Sequence, residues 1–177
     1  AVPGMEINTS EEVHAVCLFP NLEAALCFDS YVYGKLIRFP NNEAIFGKQQ
    51  IYNEQDQVCG TEPNLLINAT EISFDGLWEL VRSYGGVMFP AHVDKTANSL
   101  IANLGFIPPD SRFRTAEVKD LKKLHQLQKD NPYLDKCRII SNSDAHYLEH
   151  MNEPELTLQV EEKTVQGIID ALLDGAG

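Results

Sequence analysis

The stretch SFDGLWELVRSYGGVMFPAH, Ser73 to His92, decides how the chain is read. Leu77, Leu80, Val81 and Tyr84 recur at helical spacing, Ser73 can cap the start, and Gly85-Gly86 stop the run. The apolar VMFPA that follows reads as a short buried strand, and it ends on a histidine. Helix, stop, strand and strand-end histidine form a unit that can be sought elsewhere in the chain.

The same alternation continues toward the C-terminus. TAEV (115–118) reads as a strand, and KDLKKLHQLQKDNP (119–132) as a helix with Leu121, Leu124 and Leu127 on one stripe. CRIIS (137–141) is a further strand and TLQV (157–160) another candidate. TVQGIIDALLDG (164–175) is a helix with an apolar face at Val165, Ile168, Ile169, Leu172 and Leu173. Toward the N-terminus, GMEIN and VHAVCLFP read as strands and NLEAALCFDSYVYGKL as a helix. Residues 38–64 are polar and mixed; helix plus loop is expected there, as an insertion in a single domain spanning 1–177. Short apolar strands alternating with amphipathic helices predict a parallel α/β arrangement, as a barrel or an open sheet. In either architecture, sites collect where strands end.

The totals bound the function classes. The 177 residues suit one domain with a substantial core. Lys and Arg number 14 against 26 Asp and Glu, a formal charge of −12, which argues against a generic nucleic-acid surface. No apolar run approaches the roughly 20 residues that span a bilayer, so no membrane partner is expected. Cys17, Cys27, Cys59 and Cys137 include no CxxC pair and read as reduced, mostly buried thiols of a cytoplasmic protein.

Metal-ligand residue types gather at the strand ends. Glu6 closes GME, His92 closes VMFPA, and Asp144 and His146 follow RIIS. His14 is the exception, at the start of its strand but close in sequence to Glu6. In extended backbone, residues i and i+2 face one side, so Asp144 and His146 could bind one ion or neighbouring ions. A lone DxH is common by chance; a ligand type at one strand end after another is not. Mixed imidazole and carboxylate donors suit zinc, manganese or iron better than calcium. His125, on a Lys-rich helix, reads as surface, and His150 as a solvated loop residue.

GMEI (4–7), EEVH (11–14), PAH (90–92) and SDAH (143–146) together resemble the later motifs of the PHP family, the polymerase and histidinol phosphatase domains. AHVDKTANSLIANLGFIPPD (91–110) resembles bacterial stand-alone phosphoesterases of that family. The resemblance implies a distorted (β/α)7 TIM-like barrel with two or three divalent metals at the strand ends, and phosphate-ester hydrolysis by metal-activated water. It implies Glu6, His14, His92, Asp144 and His146 as metal ligands, with Lys95 near the substrate phosphate. The family's opening H-x-H is absent: the first histidine is His14. The chain is therefore expected to be the C-terminal portion of such a barrel, N-terminally truncated, carrying part of a site and weak or inactive alone. A barrel cut short exposes sheet edges and points to either dimerisation, as a homo-oligomer, or partial disorder. The expected partner is a small phosphorylated substrate. Sugar phosphate, nucleotide, histidinol phosphate and nucleic-acid end all stay open, with long nucleic acid placed last. Two rivals stand beside this reading: a catalytically silent metal-binding or interaction module, and an amidohydrolase-like metal hydrolase.

Overall fold

The computed structural model describes residues 1–154 and 156–175. Its elements are β1 (Gly4–Asn8), β2 (His14–Leu18), α1 (Leu22–Lys35), α2 (Glu43–Phe46), β3 (Gln50–Tyr52), β4 (Val58–Thr61), α3 (Phe74–Ser83), β5 (Val87–Pro90), α4 (Leu100–Leu104), β6 (Thr115–Glu117), α5 (Leu124–Asp130), β7 (Arg138–Ile140) and α6 (Val165–Asp174). Short 3-10 turns lie at Leu121–Lys123, Pro132–Lys136 and Leu148–His150.

The deciding stretch folds as its residues dictate. Ser73 caps α3, its hydroxyl accepting from the Gly76 N–H, and Glu11 accepts from the Phe74 N–H at the same helix end. Leu77 and Val81 are fully buried. Gly85 turns the chain in the left-handed region at φ 74°. Gly86 is needed for a different reason: a Cβ there would sit 2.6 Å from the Leu18 carbonyl oxygen. That close approach brings the chain straight into β5, all four residues of which are buried.

The strands form three small sheets. β1, β2 and β5 make an antiparallel sheet in that order, β3 and β4 an antiparallel hairpin, and β6 and β7 a parallel pair. The architecture is mixed α/β, and no closed barrel forms among the described residues. The expected parallel order holds only for β6–β7. For β1 and β2 the reason is loop length: Thr9 to Val13 cannot carry a crossover, which takes a dozen residues or more, but suffices for a hairpin. Thr9 stabilises that link, its hydroxyl accepting from the Val13 N–H. β6 runs beside β5, tied by the Val93 N–H donating to the Glu117 carbonyl at 2.9 Å. TLQV, expected as a strand, has no regular structure; its Leu158 packs against α6 and its neighbours instead. In the 38–64 region the structure adds the β3–β4 hairpin to the expected helix and loop. Every residue of β3 is exposed, so no alternation marked it in the sequence.

Both faces of the main sheet are covered, and alternate residues go opposite ways. Ala15, Cys17 and Met88 join the larger core with Phe28 of α1 and Leu77 and Val81 of α3. Val16, Leu18, Val87 and Phe89 face α6, meeting Ile169 and Leu172. Burying about 25 cal/mol per Å² of apolar surface on two faces is what fixes the strand register. The cysteines are unbridged; Cys17 and Cys137 are buried, Cys27 and Cys59 exposed. No described helix is long and apolar enough to cross a membrane.

Candidate metal centre

The hairpin explains why His14, at the start of a strand, shares a site with residues at strand ends. Antiparallel register places Asn8 opposite His14 and Glu6 opposite Val16, so the start of β2 lies at the end of β1. β5 pairs with β2 in the register Ala15 to Pro90, which brings its end alongside. The main chain of His14 is held from both sides. Its N–H donates to the Asn98 carbonyl, and its carbonyl accepts from the Ala91 N–H, each at 3.0 Å.

Glu6, His14 and His92 converge. Each offers one ligand atom, and these atoms lie within 4.8 Å of one another. Glu6 Oε1 is 2.5 Å from His14 Nδ1 and 3.6 Å from His92 Nε2. The two imidazole rings stand 5.4 Å apart, centroid to centroid. The site grades from exposed Glu6 through half-buried His14 to buried His92. His92 also lies in the left-handed region, at φ 30°. Its Nδ1 is buried without a hydrogen-bond partner, an arrangement costing about 1–3 kcal/mol if nothing satisfies it. Two imidazoles and one carboxylate are the donor set of His₂Glu zinc sites, where a fourth position stays open for water. The residues present therefore fit a divalent cation.

The hydrogen bond from His14, then the one from His92, holds the Glu6 carboxyl well below the usual carboxylate range despite the opposing effect of burial. A depressed carboxyl contributes stability above its unfolded-state pKa and loses it as pH falls through the usual carboxylate range and below. With chelator present, the melting-temperature advantage of wild type over Glu6→Gln is therefore expected at neutral pH and should shrink on acidification. A gap that widened toward low pH would contradict the pairing.

The remaining sequence-marked residues are placed differently. Asp144 is outside the trio and pairs with Lys95 Nζ, while Lys119 Nζ lies 3.5 Å from the same Oδ2. Burial tends to raise the Asp144 carboxyl, but the bond to Lys95, aided by His92 and Lys119, more than offsets this and leaves it lowered. The i, i+2 reasoning does not hold locally, because Asp144 has φ 51° and the run is not extended there. His146 is exposed, and its Nδ1 lies 3.1 Å from the Asp144 carbonyl oxygen. His125 and His150 are exposed as well.

Glu117, at the end of β6, escaped the sequence reading. It is buried, and both carboxyl oxygens are used: Oε2 accepts from the His92 N–H at 3.0 Å and Oε1 from Asn142 Nδ2 at 2.9 Å. It thus ties the backbone of His92 to the segment after β7. The signal was present, since Glu117 is a carboxylate near the end of TAEV, as Glu6 is at the end of GME.

No protein-family model matches the chain, and no curated protein does. The fold is similar to that of the lesion-specific endonuclease PfuEndoQ from Pyrococcus furiosus. The TM-score is 0.59 at 16% identity, over 98% of this chain and 39% of that one. The chain thus spans well under half of that enzyme, and the likeness is one of fold. It corrects one expectation. Net acidity places long nucleic acid last and the family resemblance implies a small phosphorylated substrate, yet an endonuclease carries a similar fold. Total charge is a poor guide because charge is distributed locally: here two lysines converge on one oxygen of Asp144 within a chain of −12.

Proposed function

We propose that this chain contributes a divalent-metal site to the hydrolysis of a phosphodiester, with nucleic acid the favoured substrate class. The observation that carries the reading is the convergence of Glu6, His14 and His92, whose ligand atoms lie within 4.8 Å of one another. The PHP resemblance and the endonuclease of similar fold support phosphorus over carbon chemistry.

A divalent cation there would supply Lewis acidity, lowering the pKa of a bound water and offsetting phosphate charge. The chain's own residues do the rest. Glu6 contributes anionic charge; His14 and His92, held by their backbones, contribute neutral donors in fixed positions. Glu117 holds the His92 main chain in place. Lys95, three residues beyond His92 and paired with Asp144, would meet a phosphate oxygen. Hydrolysis forms one P–O bond from water and breaks one to the leaving alcohol, which takes up a proton. Asp144 and His146, ligands by resemblance, would join the set only on leaving Lys95 and the Asp144 carbonyl respectively.

The test is cleavage of a fluorescent single-stranded oligonucleotide, damaged or undamaged, by the protein. Manganese-dependent cleavage, lost with chelator and in Glu6→Gln, is expected. Cleavage of an amide substrate instead, or cleavage indifferent to chelator, would overturn the reading.

A further inference from the structure

Lys119 is a residue that neither the strand-end pattern nor the motif resemblance marks. It follows β6, yet its ammonium meets Lys95, from the loop after β5, on a single oxygen of Asp144. Two cations sharing one carboxylate leave an excess positive charge at that point. Lys119 is aimed there by its backbone: Asp94 accepts from the Lys119 and Asp120 N–H groups at 2.7 and 2.9 Å. Both oxygens of Asp94 are thereby engaged, so it does not compete for the lysines. The side chain of Asp144 is 10% exposed, while Lys95 and Lys119 are 37% and 44% exposed. An outside anion can therefore reach the cations, and the internal carboxylate is the smaller part of what faces solvent.

We propose that Lys95 and Lys119 form a two-cation seat for a phosphate oxygen, and that Asp144 occupies this seat until substrate arrives. The idea rests on the phosphodiester reading above and deepens it, naming the substrate-side partner of the metal trio. A phosphate oxygen could do what the carboxylate oxygen now does: it accepts a charge-assisted bond from the Lys95 ammonium and lies 3.5 Å from that of Lys119. Asp144 is then an internal competitor, and removing its charge should open the seat.

The test needs no metal. Inorganic phosphate and a dinucleotide are titrated separately, by NMR of lysine Nζ groups, into chelator-treated wild type, Asp144→Asn and the double variant Asp144→Asn/Lys119→Gln. Asp144→Asn is expected to bind each anion about tenfold more tightly than wild type, the scale of one charge-assisted hydrogen bond, and the double variant to lose that gain. If only the dinucleotide gains, the seat takes a phosphodiester; if both gain, it takes any phosphate. Either supports the proposal. No gain in Asp144→Asn for either anion, or a gain that survives in the double variant, overturns it. If Asp144→Asn gives no cooperative melt, Asp144→Ser is judged by the same outcomes. Failure to load metal on Glu6, His14 and His92 would sink the hydrolase reading and leave this titration unaffected.

Discussion

His92→Ala should weaken divalent-metal binding by at least about 100-fold, since even groups that merely support a ligand are worth about 10- to 100-fold. Among the trio, His92 has the least alternative employment. It is 2% exposed and cannot turn to water, and its Nε2 stands 3.6 Å from Glu6 Oε1, against 2.5 Å for His14 Nδ1. Glu6 and His14 bond to each other and would persist as a pair without it. The fold, by contrast, should survive, because the substitution also removes the orphaned nitrogen and leaves the backbone bond to Glu117 available. The measurement is manganese affinity by equilibrium dialysis at neutral pH, alongside a melt in chelator. His125→Ala, on the exposed face of α5, serves as the control and should bind as wild type. Equal affinity for wild type and His92→Ala would refute the ligand role. Because each imidazole must be neutral to ligate, affinity should rise with pH and protons should be released on binding.

Glu117→Ala should show the reverse balance, with a loss of about 2–4 kcal/mol in folding stability even in chelator. The carboxyl group serves two donors at once, the His92 N–H and the Asn142 amide. Alanine strands the buried N–H, at about 1–3 kcal/mol, and empties space between β5 and β6. Metal affinity should fall as well, because the left-handed turn at His92 is held by this bond. Urea unfolding of the metal-free protein checks the first effect. A change below about 0.5 kcal/mol, the range of an ordinary surface substitution, would mean that Glu117 does not anchor the site. Taken together, the two variants separate a ligand from the group that positions it.

Much of the site was legible because it obeys short-range rules. Ser73, the diglycine and the apolar VMFP run announced α3 and β5, and His92 followed from them. Glu6 came from the same strand-end reasoning, although β1 runs on to Asn8 and places it mid-strand. What could not be read depended on partners. His14 looked misplaced until the antiparallel register put the start of β2 beside the end of β1, although the five-residue link Thr9–Val13 already favoured a hairpin. Strand periodicity tells which face a residue takes, not the direction of its neighbour, so a parallel order was inferred where β1, β2 and β5 run antiparallel. Asp144 and His146 were judged from extended geometry, which fails wherever one residue enters the left-handed region, as Asp144 does. Lys119 acts across strands, through a contact separated by many residues, and no local pattern marks such a contact.

The claim on which the rest depends is that Glu6, His14 and His92 hold a divalent ion together. The most direct measurement is an anomalous difference map, at the zinc absorption edge, from crystals of protein loaded with one equivalent of zinc. A single strong peak about 2.0–2.2 Å from an oxygen of Glu6 and a ring nitrogen each of His14 and His92 is the expected result. A zinc peak confined to other histidines, or an empty map between these three residues in a protein that has taken up zinc, would contradict the account.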